Sequence, residues 1–303
     1  MAIFSPQTRV AVIRGGQSNG YDTSLKTGEH ILSTLREMSE EYDPMDIFIS
    51  RDGEWHHEGL VREPHKLLRH VDVVWNALCG SYGEDGQVER LLESLQVPFT
   101  GSGAVASALS MDKDMAKRLY RQHSLLVPTH ELITRENWDD RKLMAIFRSY
   151  LSPVVVKPAN GVHSFGMRLA RNFSELREIV NETFKYYSPR VLVEEFINGY
   201  EASCTVIEDA KGERLYALLP LSKSKLKTEY KREIEEIAKR AHEVLGMRHY
   251  SSSDFIITPK GKIYILETNS LPALHEQSLL HQSLGITGWR SRDFVDHILK
   301  LAV

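Results

Sequence analysis

The chain has 303 residues, of which 42% are hydrophobic and 26% charged, so it is a globular protein long enough for two or three sub-domains. A net charge of −3 and a pI near 6.5 exclude the basic excess of a nucleic-acid-binding protein, and no apolar run approaches the roughly 20 residues that cross a bilayer. With only two cysteines and no signal-peptide pattern, the sequence predicts a cytoplasmic protein without nucleic-acid or membrane partners.

The first hundred residues alternate short β-branched segments with amphipathic segments. This alternation predicts an α/β unit, in which helices flank a mostly parallel sheet. Ligands bind such sheets at the carboxyl ends of the strands, where Gly15-Gly16 and Cys79-Gly80 fall. The predicted strands are 10–13, 47–49, 71–78 and 97–99, and the predicted helices are 24–37, with Ser24 as N-cap, and 85–95.

The pattern changes near Thr100, where we place a boundary and where an α+β arrangement begins. The predicted helices beyond it are 111–123, 174–184 and 229–245, with a final helix from Ser291 that packs Phe294, Ile298 and Leu301 on one face. The predicted strands are 154–157, 166–169, 190–196, 201–207, 216–221, 250–258 and 263–269, with a tight turn at 259–262. The predicted sub-domains are therefore 1–100 (α/β), 101–197 and 198–303 (both α+β).

Two late strands carry acidic residues on one face. Glu267 and Asn269 are two residues apart in a strand, so both side chains leave the same face. The hairpin that joins this strand to the preceding one brings Asp254 beside that face. Three oxygen ligands suit a hard cation such as magnesium. These residues alone also fit an ordinary polar sheet face, although an unpaired acid among apolar residues is costly.

Two further segments have the composition of a nucleotide site. Lys157 closes a fully apolar strand, where a lysine is costly without an anionic partner, and the loop that follows can fold over phosphates. The strand 191–197, followed by Glu201, can bind adenine through backbone groups and a ribose hydroxyl through a carboxylate. The residues alone leave a structural alternative open for each segment. Lys157 can be a lysine that reaches solvent from a strand end, and 191–197 can be an ordinary edge strand.

In this order the segments resemble the ATP-grasp superfamily and, within it, the D-alanine–D-alanine ligases. The similarity covers nearly the whole chain and is densest over 72–117, which includes NALCGSYGEDG from Asn76 to Gly86. Further matches are Val156-Lys157-Pro158, the run from Leu192 to Phe196, and the run from Glu267 to Pro272. The resemblance implies an ATP-grasp fold, in which an N-terminal parallel-sheet sub-domain and two α+β sub-domains enclose ATP.

The resemblance also implies an ATP-dependent carboxylate–amine ligase of peptidoglycan precursor synthesis. A carboxylate becomes an acyl phosphate, which an amine then attacks to give a dipeptide, ADP and phosphate. Asp254, Glu267 and Asn269 would hold two Mg²⁺ ions, or Mn²⁺, while Lys113 and Lys157 would contact the phosphates. The adenosine would meet Glu194, Glu195, Phe196, Ile197 and Glu201, with Glu194 at the adenine and Glu201 at the ribose.

The amino-acid half departs from the family pattern. Gly20 stands in the position of the glutamate that orients the ammonium group of the first D-alanine, and Asp22 is the nearby acid that could substitute for it. Cys79 replaces a histidine. His163 lies in a phosphate loop whose sequence differs from that of the family, and we keep it as a candidate catalytic residue.

The site of the second half-reaction is altered as well. Ser252 replaces an arginine that helps to stabilise the tetrahedral oxyanion in the family. A backbone N–H that normally assists falls at Ala273. Ser278 and Leu279, which match the family, would meet the carboxylate of the second substrate.

These departures leave three hypotheses open. The first is a ligase of two D-alanines, the second a ligase with the same activation chemistry and another amino acid or amine, and the third a nucleotide-binding relative with little activity. The segment that should close over ATP, 222–228, is short, and Tyr230 is a candidate for the lid tyrosine of the family. The family also tends to dimerise through its N-terminal sub-domain, which implies a homodimer.

Overall fold

The protein is described by a computed structural model that covers residues 7–161 and 166–303. Three β-sheets form its framework, one mostly parallel and two antiparallel, with helices packed on each. No helix within the described ranges is long and apolar enough to cross a membrane.

The N-terminal sheet has five strands in the order β4-β3-β2-β1-β5, of which β1, β2 and β5 are parallel. Its strands are β1 (Thr8–Gly15), β2 (Tyr42–Ile49), β3 (Trp55–His57), β4 (Leu60–Val61) and β5 (Val73–Asn76). Its helices are α1 (Tyr21–Glu37), α2 (Pro64–Leu68) and α3 (Gln87–Ser94). The predicted parallel sheet is confirmed, and an antiparallel hairpin of β3 and β4 is added to its edge.

Two local predictions in this region are wrong. Ser24 is not the N-cap, because α1 begins one turn earlier after Gly20. The Ser24 side chain is instead buried and accepts a hydrogen bond from the Gly15 backbone N–H at 2.8 Å, which ties the helix to the end of β1. The strand predicted at 97–99 is reduced to one parallel bridge between Val74 and Phe99.

The central region is an antiparallel sheet in the order β6-β9-β7-β8. Its helices are α4 (Ala104–Met111), α5 (Lys113–Gln122), α6 (Asp140–Ser149) and α7 (Phe173–Tyr186), and its strands are β6 (His130–Thr134), β7 (Val154–Pro158), β8 (Arg168–Ala170) and β9 (Arg190–Glu195). The single helix predicted at 111–123 is wrong. Two helices meet at Asp112, whose side chain accepts from the backbone N–H groups of Asp114 and Met115 and so begins α5. The elements α4, β6 and α6 were not predicted.

The C-terminal sheet is antiparallel in the order β11-β10-β12-β13. Its elements are β10 (Tyr200–Ala210), β11 (Glu213–Ala217), α8 (Thr228–Val244), β12 (Tyr250–Ile257) and β13 (Ile263–Asn269), followed by α9 (Leu279–Ile286) and α10 (Ser291–Ala302). The long helix and the β12–β13 hairpin match their predicted ranges closely, whereas α9 was not predicted.

A shared apolar core holds the C-terminal region against the N-terminal sheet. The rings of Trp75, Tyr250 and Phe294 lie 5.5 to 6.3 Å apart, and all three are buried. Ile298 is buried and Leu301 packs on the same cluster, so the apolar face predicted for the last helix is confirmed. This packing places the carboxyl end of β5 next to Tyr250 on β12 and the segment 271–274 that follows β13. The division at 100 and 197 stays a prediction.

Candidate active site

The acidic face of the C-terminal sheet forms the centre of the candidate site. Asp254 on β12 is the direct cross-strand partner of Glu267 on β13, and Asn269 lies two residues further along the same face. Ser203 on β10 lies opposite Asp254 and donates a hydrogen bond to its carboxylate. The three residues predicted as metal ligands are therefore brought together on one surface.

The electrostatics of this face favour a cation. Burial and the charge of Glu267 raise the pKa of Asp254 to about 7. Burial also opposes ionisation of Glu267, but the nearby ammonium groups of Lys113 and Lys157 outweigh it and lower the pKa of Glu267. The described residues contain no group of three His, Cys, Asp or Glu side chains suited to a metal, so two carboxylates and an amide are the available donors. That set fits Mg²⁺, which takes one or two carboxylates and completes its shell with phosphate and water.

Lys113 bridges this face and the central sub-domain. Its ammonium lies 3.1 Å from the Glu267 carboxylate and also donates to the Gly161 carbonyl. The lysine is the first residue of α5, and its backbone N–H donates to the Ala159 carbonyl at 2.9 Å. Arg190 on β9 pairs with Asp112, the cap of that helix. The start of α5 is therefore fixed against the end of β7, which sets the position of the lysine.

A buried ion group lies beside it. Glu194 on β9 pairs through one oxygen with Lys157 at 2.9 Å and through the other with Lys117 at 3.3 Å, and all three side chains are at most 9% exposed. Burial raises the pKa of Glu194, but the two lysines outweigh it and hold the pKa at about 2. Burial lowers the pKa of Lys117 to about 8. Lys117 was not predicted as a site residue, although its place one helical turn after Lys113 puts the two on one face of α5.

The remaining residues predicted for adenosine lie along an open edge where β9 leads into β10. Glu195 accepts a hydrogen bond from the Thr129 backbone N–H at 2.7 Å, Phe196 is 41% exposed, and Ile197 is half-buried. Glu201 has an exposed side chain, while its carbonyl accepts from the Ser222 hydroxyl at 2.5 Å. That contact fastens the start of the segment 222–228 to the same edge.

At the N-terminal edge of the site, the backbone at Gly20 packs so closely against Cys79 that no side chain fits there. A Cβ atom there would lie 2.6 Å from the Cys79 carbonyl oxygen, a separation that real side chains do not adopt. Asp22, on the first turn of α1, points to solvent and lies 3.6 Å from Arg51. His163 lies outside the described residues, so its predicted role stays a prediction.

The residues predicted for the second half-reaction lie on two elements. Ser252 is on the same face as Asp254, and its hydroxyl accepts from Thr205 at 3.3 Å. Ser278 caps α9 and accepts from the His281 backbone N–H at 3.2 Å, whereas Leu279 is 52% exposed.

Tyr230 is far from the acidic face. Its hydroxyl lies 2.6 Å from the position that a Cβ atom on Gly261 would take, at the turn between β12 and β13. The six residues from Gly261 to Glu267 span roughly 20 Å of strand. Tyr230 therefore lies away from the acids in this structure, and its role as a lid tyrosine stays a prediction.

The sequence of this chain matches the family described as D-ala D-ala ligase C-terminus over residues 119–221 and 218–300. It is also 33% identical to the D-alanine–D-alanine ligase of Geotalea uraniireducens, over 97% of this chain and 95% of that protein. The chain belongs to the D-alanine–D-alanine ligase family. Among solved structures, this family member resembles a Bacillus anthracis D-alanine–D-alanine ligase complexed with ATP, at 25% identity and a TM-score of 0.81 over 97% and 96% of the two chains. It also resembles the VanG D-Ala:D-Ser ligase of Enterococcus faecalis, at 26% identity and a TM-score of 0.85 over 98% and 100%. The predicted ATP-grasp fold and family are thereby confirmed.

Proposed function

We propose that this ligase-family chain joins two molecules of D-alanine at the expense of ATP, as a step of peptidoglycan precursor synthesis. The observation that carries the proposal is the juxtaposition of the Asp254–Glu267–Asn269 face with Lys113 and Lys157. Such a face beside two ammonium groups suits phosphoryl transfer to a carboxylate. Full-length similarity to ligases favours this reaction over a relative that only binds nucleotide.

The chain's own residues suggest how the nucleotide is held. Lys113 and Lys157 are proposed to contact the phosphates, and Glu201 the ribose. The backbone of 195–197, at the open edge, is proposed to receive the adenine. Glu194 was predicted at the adenine; its two carboxylate oxygens both contact lysines here, which supports an added role in keeping those lysines charged.

The acidic face is proposed to hold two Mg²⁺ ions, or Mn²⁺, through Asp254, Glu267 and Asn269. Magnesium, when bound, offsets charge on the phosphate oxygens as the phosphoryl group moves. Glu267 pairs with the Lys113 ammonium in this structure. If Glu267 held the metal ion instead, that ammonium would be available to contact a phosphate. Ser203, by its hydrogen bond, keeps Asp254 oriented toward the same point.

The second substrate is proposed to place its carboxylate at the start of α9. Ser278 caps this helix, and the backbone N–H groups of a first helical turn favour an anion. Leu279, exposed beside it, would contact the substrate's apolar part. Ser252 carries no charge and cannot replace the arginine of the family. The Ala273 backbone N–H is therefore proposed as the group that stabilises the tetrahedral oxyanion. Dimerisation through the N-terminal sub-domain is part of the same proposal.

The reaction is tested by screening D- and L-amino acids for Mg²⁺-dependent phosphate release from ATP. We expect D-alanine to give the strongest stimulation and mass spectrometry to detect the D-alanyl-D-alanine dipeptide. A stronger response to another amino acid would favour the alternative ligase with a different substrate. If no amino acid stimulates phosphate release, the ligase proposal is wrong.

The metal assignment predicts a pH dependence. The affinity of the nucleotide-free protein for Mn²⁺ is expected to rise about tenfold per pH unit up to about pH 7 and then level off. The reason is that Asp254, with its pKa raised to about 7, is protonated below that pH and must lose its proton to bind a cation. Titration calorimetry at a series of pH values measures this, with Asp254→Asn as the non-titrating control. A flat wild-type profile from about pH 5 to 8 would contradict the assignment.

A further inference from the structure

Glu84 is a buried acid that the proposed mechanism does not use. Its side chain lies in the loop after β5, and Glu84 as a whole is only 3% exposed. Its carboxylate accepts a hydrogen bond from the Gly80 backbone N–H at 2.6 Å. Within 7–161 and 166–303, no Lys, Arg or His forms an ion pair with it. Burial accordingly raises the pKa of Glu84 to about 7. An acid buried in this way lacks a cationic partner in the substrate-free protein.

Glu84 interacts electrostatically with the proposed phosphoryl-transfer site. The charges of Glu267 and Lys113 both act on it, the first raising its pKa and the second lowering it. Its loop is at the carboxyl end of the parallel sheet, where ligands bind in such folds. A substrate whose carboxylate is phosphorylated beside Lys113 therefore has Glu84 in its neighbourhood.

The glutamate that binds the substrate ammonium in the family is replaced by Gly20, and Cys79 fills the space that a side chain at this position would need. Gly20 leaves no room for a side chain, because its missing Cβ would meet both the carbonyl and the Cβ of Cys79, at 2.6 and 2.8 Å. Asp22, the neighbouring acid, is turned to solvent and paired with Arg51. A buried ammonium needs an anionic partner, so the partner has to come from another element.

We propose that Glu84 is the specificity-determining residue that receives the α-ammonium group of the first amino acid. This inference rests on the proposed ligase function. The ammonium and carboxylate of an α-amino acid share one carbon atom, so the acid that binds the first must lie close to the group that activates the second. Glu84 fits this requirement, because its loop follows the carboxyl end of β5 and the charges of Lys113 and Glu267 both act on it. Glu84 is also buried, and its hydrogen bonds come from the neutral Gly80 N–H and Cys79 side chain, so a charge-assisted hydrogen bond to an ammonium would be favourable there.

The test removes the charge from the enzyme and from the ligand in turn. Hydroxylamine replaces the second substrate, attacks the acyl phosphate at its carbonyl carbon and displaces phosphate, so the hydroxamate formed reports on the first substrate alone. The KM of D-alanine is compared with the Ki of D-lactate, which carries a hydroxyl in place of the ammonium. For Glu84→Gln we expect the KM of D-alanine to rise about 50-fold and the Ki of D-lactate to change less than about threefold. Glu84→Asp, which keeps the charge on a shorter side chain, should fall between wild type and Glu84→Gln.

Glu89 provides a matched control in the same region. It is 1% exposed, accepts from the Asn76 amide at 3.1 Å, and burial raises its pKa to about 8. Glu89 bonds to the Asn76 amide and is given no role at the substrate, so Glu89→Gln should leave both constants within about twofold of wild type.

The outcomes separate the possible failures. If Glu84→Gln weakens D-alanine and D-lactate equally, the role of Glu84 is structural and the inference is wrong. It is also wrong if neither constant changes, or if Glu89→Gln has the same effect. If the wild type forms no hydroxamate from D-alanine at all, the proposed ligase function fails instead.

Discussion

The Glu267→Gln variant is expected to lose about 10³-fold in kcat while its fold stays intact. Glu267 is the only proposed metal ligand that also holds Lys113, so the substitution weakens both the cation site and the placement of a phosphate-binding ammonium. A loss of several kcal/mol of charge stabilisation in phosphoryl transfer corresponds to a decrease of this size. Dipeptide formation at saturating ATP and Mg²⁺ measures the effect.

The control is the same substitution on the same sheet, away from the acids. Glu213 on β11 is exposed and pairs with Lys239 at 3.1 Å, so Glu213→Gln should leave kcat within about twofold of wild type. Circular dichroism and urea unfolding establish that both variants are folded. If Glu267→Gln retains wild-type activity, Glu267 does not hold the metal.

The Glu194→Gln variant is expected to lower the free energy of unfolding by about 3 to 5 kcal/mol. Removing this charge leaves Lys117 and Lys157 facing each other in a buried setting with no anion between them. Breaking one partner of a buried pair costs more than the pair itself contributes, because the remaining charge is uncompensated. Urea unfolding monitored by circular dichroism at pH 7 measures the change.

Lys117→Met is the matched control, since it removes one cation and keeps the pair of Glu194 with Lys157. Its cost should be below about 2 kcal/mol, and a larger cost than that of Glu194→Gln would contradict this account. Because the folded pKa of Glu194 is about 2, below its ordinary value of 4.5, its contribution is present above pH 4.5 and is lost as pH falls toward 2. Glu194→Gln should lack that part of the acid transition.

Several elements were predictable because their signals are local. The β12–β13 hairpin has an apolar run on each side of a turn, and β13 has the predicted bounds of 263–269. Because successive side chains of a strand point to opposite faces, Glu267 and Asn269 share one face. The predicted helix start at Ser24 was wrong because a serine can either cap a helix or lie inside one. Here the Ser24 hydroxyl accepts from the Gly15 backbone N–H, a contact between α1 and β1 that the local sequence does not reveal. The break at Asp112 was missed because Ala104–Met111 consists mostly of small residues without a polar face.

The family resemblance, the antiparallel hairpin and the acidic face could be predicted from the amino-acid sequence, since each depends on residues that are near neighbours along one strand or in one turn. Which charged side chains meet depends on the packing of the folded chain. Lys113 pairs with Glu267, and Lys117 and Lys157 both pair with Glu194. Gly20 packs against Cys79. The partners in each contact are far apart in the chain. A local pattern records conformation and side-chain direction, whereas the pairing of buried charges depends on how whole sub-domains pack, so the polar interior of the site could not be read from any one segment.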